Sequence, residues 1–215
     1  RGEETRRRIL DVALELFATS GFDGASTRMI AERAAVNLPA IQYYFGSKEG
    51  LYRAAVEQAS DELQARVAPI AERIRNELAA GQLTQRQLIG LLCDMLDIVI
   101  GLILDDAAPN RESRRKFFVR MEVEPTAAVD ALQDAMIRHV CAPCCDIIGR
   151  LIDRPANDEL VLLHAMTIIG QAKIFCGWGA RRILHWDNIG EARVQRVQSV
   201  IRGSVHAIFR GARGK

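Results

Sequence analysis

The feature that most constrains this chain is the spacing of its apolar residues. They recur three and four apart almost from end to end, the period of a helix with one buried face. Ile9, Ala13, Leu16 and Phe17 share one such face, and Arg6, Arg7, Arg8, Asp11 and Glu15 supply much of the charged side. Gly and Pro fall at boundaries rather than inside alternating runs, so no strand pattern emerges. The expectation is an all-α protein of roughly ten helices, with a small compact front and a larger bundle behind. With 215 residues and 49% hydrophobic types, a core can be buried without staples. Only 16 Gly and 6 Pro exclude collagen-like, mucin-like and disordered chains.

The boundaries can be read from capping signals. Gly21 stops the first helix, and Ser26 is placed to cap a short second one through Ala35. Asn37 caps a third, with Pro39 tolerated in its first turn, and Gly46 ends it. Ser47 opens a helix from Lys48 towards Arg66, and Ala68–Ala80 reads as a separate one. Thr84 caps a helix through Leu104 that is apolar nearly all round, which places it centrally in its domain. After a loop at 105–110, helices are expected over Glu112–Val123, over Thr126–Ile152 with a kink at Pro143, over Asp158–Gly177 and over Gly190–Arg210. There is no internal repeat.

Two apolar runs bear on membranes. Ile98–Leu104 is seven residues long, bounded by Asp97 and Asp105, and Leu160–Ala180 carries His164, Gln171 and Lys173. A spanning helix needs about 20 residues almost free of charge, so both are read as buried helices of a soluble bundle and no membrane partner is expected. The opening Arg-Gly-Glu-Glu-Thr-Arg-Arg-Arg has no apolar signal core. Because it begins on Arg rather than Met, the expectation is that some leading sequence was removed or not included. Five cysteines, an odd count, fit a reduced, cytoplasmic compartment.

The front of the chain carries the functional signal. Two short helices joined by a tight turn and braced by a first helix form the helix-turn-helix arrangement, whose second helix keeps one face free to enter a major groove. Ile41, Tyr44 and Phe45 fall on the inner side of that helix. Leu38, Pro39, Gln42 and Tyr43 fall on the outer side. The stretch from Ser26-Thr27-Arg28-Met29-Ile30-Ala31 through Gln42-Tyr43-Tyr44-Phe45-Gly46-Ser47-Lys48-Glu49-Gly50-Leu51 resembles the DNA-binding domain of the TetR family of transcriptional regulators. The likeness extends back through Ile9-Leu10, Ala13, Leu16-Phe17, Gly21 and Phe22, about residues 5–55 in all. Ala40–Phe45 and Phe117-Phe118-Val119-Arg120-Met121-Glu122 are similar to the CecR-type subgroup. Ala35 stands where the family often has Gly, Leu38 and Pro39 where Lys-Gly is frequent, and Gln42 where Tyr is frequent. These departures alter the reading face, so an operator cannot be borrowed from a relative.

The resemblance implies a DNA-binding domain at 1–47 and a helical ligand-binding and dimerisation domain at 48–215, joined by the Lys48–Arg66 helix. Gln42 can make paired hydrogen bonds to an adenine edge, while Leu38, Pro39 and Ala40 can pack on thymine methyls. Tyr43 is expected on a phosphate, as the matching family residue commonly is. Thr27 and Arg28 start a helix where backbone N–H groups favour phosphate, and Lys48 is expected to clamp another. Residues 1–60 carry eight positive and eight negative side chains, so no basic stripe adds weight.

For the rear bundle, the resemblance implies a homodimer, a double-stranded operator and a small effector. Met95, Phe117, Phe118, Met121, Phe175 and Trp178 are the pocket candidates, with ordinary core packing the plainer account of each. Arg120, Glu122 and Glu124 are candidate polar groups of that pocket or members of a solvated face. The last long helices are the expected dimer interface, and Ala128, Ala131 and Ala135 form a small-residue stripe on which a second copy, or this chain itself, can pack. No cofactor or metal is expected. His139, Cys141, Cys144 and Cys145 keep open a metal- or redox-sensing alternative, against buried thiols filling a helix stripe. A helical protein-binding adaptor is the other alternative. No phosphate loop, His-Glu-x-x-His or Gly-x-Ser-x-Gly is present, so the chain does not read as an enzyme.

Overall fold

The structure is a computed structural model that describes residues 2–104, 111–121, 127–176 and 178–210. It contains α1 (Gly2–Gly24), α2 (Thr27–Arg33), α3 (Leu38–Phe45), α4 (Lys48–Ala80), α5 (Gln85–Leu104), α6 (Arg111–Met121), α7 (Ala127–Met136), α8 (Ala142–Ile152), α9 (Glu159–Lys173), α10 (Trp178–Ile183) and α11 (Glu191–Phe209). No strand occurs among the described residues. The chain forms two compact units, Arg1–Glu62 with Ala107–Gln133, and Leu63–Asp106 with Asp134–Lys215.

In the first unit α1 packs on α2 and α6, and α2 packs on α3. Ile9, Ala13, Leu16 and Phe17 are buried as their spacing requires. Phe17, Phe22 and Tyr52 meet with ring centroids 5.0–6.1 Å apart, and Phe117 joins them 5.7 Å from Tyr52. Edge-on contacts of this kind add ~0.5–1.5 kcal/mol each to the area they bury.

In the second unit α5 is the central helix, packed against α8, α9 and α11. Ten of its residues are buried, from Leu88 through Leu104. By length and composition it could cross a membrane, but 56% of its most apolar window is covered by protein. Its start is a reciprocal cap. Thr84 N–H donates to Gln87 Oε1 at 2.9 Å, and Gln87 N–H donates to Thr84 Oγ1 at 3.3 Å. Arg202 of α11 pairs with both Asp94 and Asp97 of α5, fixing the two helices in register.

Several boundaries differ from the sequence expectation, each for a physical reason. The helix expected to restart at Ala68 is continuous, because Leu63, Val67, Ala71, Ile74 and Leu78 are one unbroken buried stripe. Pro69 sits on the exposed side, where water can satisfy the Ala65 carbonyl it leaves without a helical donor. α1 continues past Gly21 to Gly24, but with a break at Gly21, where φ is 75°. The kink expected at Pro143 is a widened π turn at Ile137–Cys141 just before it. There Ala142 N–H donates to the Ile137 carbonyl, five residues back. The proline ring cannot approach the His139 carbonyl as a regular turn demands, and widening the turn relieves the clash. α9 ends at Lys173 in a three-residue 3-10 turn, and α10 follows it as an extra element.

Candidate nucleic-acid interface

The reading unit is assembled by its caps. Ser26 Oγ accepts from Met29 N–H at 3.2 Å and begins α2; Asn37 Oδ1 accepts from Ala40 N–H at 3.0 Å and begins α3. Each cap satisfies an N–H left without a helical partner, worth ~1 kcal/mol apiece. Between them the chain reverses through Ala35 at φ 51°. Val36 N–H closes the turn on the Ala31 carbonyl at 3.0 Å. Gly46 ends α3 at φ 74°, and Ser47 Oγ accepts from Gly50 N–H at 3.1 Å to start α4. That hydroxyl also holds the Glu49 carboxyl below its ordinary range.

Ile41 anchors α3, only 2% exposed, with Tyr44 and Phe45 half-buried beside it. Gln42 and Pro39 are exposed, Ala40 is half-buried, Leu38 is 49% exposed and Tyr43 83% exposed. One eight-residue helix thus shows a glutamine amide, a phenol and an apolar corner side by side.

The arginine run of α1 has a role its sequence did not disclose. Arg6 stacks on the Phe45 ring at 5.4 Å, and Arg8 Nε donates to the Ala34 carbonyl at 2.9 Å. One arginine thereby grips α3 and the other grips the end of α2. Arg33 pairs with Glu15 at 2.7 Å, tying α2 to α1 again. Arg28 is exposed and lies 3.5 Å from Glu32, and Thr27 is half-buried at the start of α2. Lys48 Nζ donates to the Asp23 carbonyl at 3.3 Å and lies 4.6 Å from the Phe22 ring centre. These contacts hold it at the junction of α1 and α4 rather than extended into solvent.

Three of the pocket candidates have described side chains. Phe117 belongs to the aromatic cluster of the first unit, whereas Met95 is fully buried in the second. Phe175 is stacked on Trp186 at 6.4 Å. The side chains of Phe118, Met121 and Trp178 lie outside the described residues, as do those of Ala128 and Ala131; Ala135 is buried. A groove of about 600 Å³ in the second unit is lined by Arg75, Leu78, Arg150, Arg154, Pro155 and Ala156 among others. Met95, Phe117 and Phe175 are not among the described residues that line it.

The cysteine run resolves as core. Cys144 and Cys145 are buried, Cys141 is half-buried, and all three are free thiols. Burial pushes each thiol up, away from the thiolate that metal binding or oxidation needs. Cys93, also buried, is pushed up to about 11 by the same desolvation. Among the described residues no group of three or more His, Cys, Asp or Glu side chains is placed to hold a metal ion.

Two further features were not among the candidate sites. Arg120 reaches the end of α1, and α9 and α11 leave an apolar face uncovered. On α9 and the turn that ends it, Leu163, Met166, Gly170 and Ile174 follow one another at three- and four-residue spacing, all exposed; Met166 is 73% and Ile174 67% open. On α11, Val200, Gly203 and Ala207 do the same. A Cβ added at Gly170 or Gly203 would meet nothing within 4 Å. Neither mid-helix glycine, costing ~1 kcal/mol relative to alanine, is required by packing among the described residues.

Comparison with known proteins agrees with this geometry. Residues 9–55 match the family model of bacterial regulatory proteins, tetR family. Residues 88–212 match that of the C-terminal domain of the HTH-type transcriptional dual regulator CecR. The chain is 28% identical to the CecR regulator of Shigella flexneri over 214 residues, covering 98% of this chain and 94% of the relative. The structure of AibR in complex with isovaleryl coenzyme A and operator DNA superposes with a TM-score of 0.63 at 15% identity, over 95% of this chain and 98% of that one. The fatty acid degradation regulator FadR of Bacillus halodurans does so with a TM-score of 0.58 at 13% identity, over 93% and 95%.

Proposed function

The chain belongs to the TetR family of transcriptional regulators, and from that membership we propose that it binds a palindromic operator as a dimer, acts in the cytoplasm as a repressor, and is released by a small, largely apolar effector. The observation that carries the reading is the outer face of α3, where Gln42 and Tyr43 stand exposed on a helix anchored by Ile41. Residues 1–47 read DNA in this scheme, and residues 48–215 bind the effector and dimerise. Gln42 reads a base edge, Leu38, Pro39 and Ala40 pack on methyl groups, and Tyr43, Thr27, Arg28 and Lys48 take phosphates.

A single eight-residue helix makes few contacts, so two copies are needed, presented to half-sites one turn or a multiple apart. The uncovered face of α9 and α11 supports a second copy as its occupant. Its residues are apolar, and its two glycines leave room for a partner helix to approach closely. That AibR is seen in complex with both isovaleryl coenzyme A and operator DNA supports an organic effector acting on an operator-binding protein of this fold. The effector need not touch α3. It has only to bind the non-operator arrangement more tightly, by a coupling of ~1–3 kcal/mol, and the long α4 carries the change to the reading unit.

The test is selection of bound fragments from a genomic library, followed by binding to the selected duplex at several salt concentrations. Operator binding predicts affinity that falls steeply with salt, through counterion release, and far exceeds that for a scrambled duplex. A protein-binding adaptor predicts no duplex selected at all.

A further inference from the structure

Arg120 stands in the last turn of α6 and reaches α1 about a hundred residues back along the chain. Its Nη1 donates to the Thr19 carbonyl at 3.2 Å and to the Ala18 carbonyl at 3.5 Å. Its guanidinium fills the place a side chain would take at Gly21, with Nε and Nη2 each 2.9 Å from where a Cβ would stand. Gly21 is where α1 breaks, at φ 75° and ψ 176°. Most residues resist that backbone conformation, and any side chain there would also strike the arginine.

Gly21 is the joint between the first helix and the reading unit. From it the chain runs five residues to the Ser26 cap, and then into α2 and α3. The angle at Gly21 therefore contributes to the attitude of the reading unit on α1. The carbonyls just before the break sit at the negative end of the regular helix, where a cation is favourable. One turn earlier on α6, Phe117 packs edge-on against Tyr52, which in turn touches Phe17 and Phe22 on either side of Gly21. The same face of α6 thus holds the break twice, through an aromatic contact and through a guanidinium.

We propose that Arg120 is a positioning residue for operator binding, a latch through which residues 111–121 set the angle of the reading unit at Gly21. This rests on the reading of the chain as an operator-binding regulator. Arg120 grips α1 at Ala18 and Thr19 and need not touch DNA. Its removal changes how well the unit is aimed, not which groups it carries.

Arg120→Ala and Arg120→Lys are compared with the unaltered protein on the selected operator duplex and a scrambled one. Thermal melting reports the folded fraction. A latch predicts that folded Arg120→Ala loses operator affinity about 5- to 150-fold, the usual range of such couplings. Binding to the scrambled duplex stays within about 2-fold, since phosphate contacts are untouched. Arg120→Lys, whose ammonium can still donate to the same carbonyls, recovers part of the loss. Operator binding by Arg120→Ala equal to the unaltered protein overturns the proposal. So does an equal loss on both duplexes that tracks the folded fraction, which is the signature of a merely structural contact. Should Arg120→Ala fail to fold, Arg120→Gln, which keeps N–H donors without the charge, carries the same comparison. Hydrogen exchange of the amides at 22–25 needs no DNA, and a latch predicts faster exchange there when Arg120 is shortened. If the unaltered protein does not distinguish operator from scrambled duplex, the functional reading fails on its own, and unchanged exchange in the variant then overturns the latch separately.

Discussion

α3 and α9 both leave large side chains uncovered, and they do so in different ways. α3 exposes Gln42 and Tyr43 beside Leu38, mixing an amide and a phenol with an apolar corner. α9 and the turn that ends it expose Leu163, Met166 and Ile174, with a glycine among them and no hydrogen-bonding group in the stripe. A major groove presents donors, acceptors and methyl groups in a fixed pattern, which only the first surface can answer. The second can lower its free energy only against another apolar surface. The contrast separates a surface built to discriminate from one built to associate, and a substitution can break one without the other.

The largest effect is expected from Met166→Asp. If α9 meets a second copy, this buries an unpaired carboxylate, at a cost of ~3–5 kcal/mol. The dimer dissociation constant should rise at least about 100-fold, read by sedimentation, with operator binding lost in step. An unchanged dimer would place the interface elsewhere. Gln42→Ala should leave the dimer intact and relax discrimination at one base pair by ~1–3 kcal/mol, measured across a set of singly substituted operators. Uniform weakening on every duplex would remove Gln42 from base reading. Lys48→Ala should give that uniform weakening instead, with the salt slope reduced by about one ion. A smaller change is expected if its contacts to Asp23 and Phe22 persist on DNA. Ala35→Gly is the mildest. The left-handed backbone there costs an alanine ~1–2 kcal/mol, partly offset by the looser unfolded chain that glycine brings. A net gain of ~0.5–1 kcal/mol should raise the melting temperature without altering either surface.

The reading unit was legible because its determinants are local. Ser26, Asn37 and Ser47 sit immediately before the helices they cap, and Gly46 immediately after the one it ends. The inward spacing of Ile41, Tyr44 and Phe45 predicts which side of α3 is left outside. The helix through Leu104 was legible for a similar reason, its apolar residues facing every direction. What escaped were consequences of packing. The continuity of α4 past Pro69 depends on which side of the helix faces water. Arg6, Arg8 and Arg120 look like solvated charges until distant carbonyls and rings are brought to them, and nothing near Arg120 in the sequence points to Ala18 or Thr19. Phe117 met the same limit, since nothing near it in the sequence announces its packing against Tyr52.

Both surfaces are needed at once if two copies of α3 are to read one duplex. Hydroxyl-radical footprinting of the selected operator measures that directly. The account predicts two symmetric protected patches on one duplex, with centres separated by ~34–36 Å or a multiple of it. A single patch with no two-fold partner, bound by one copy of the chain, would contradict it.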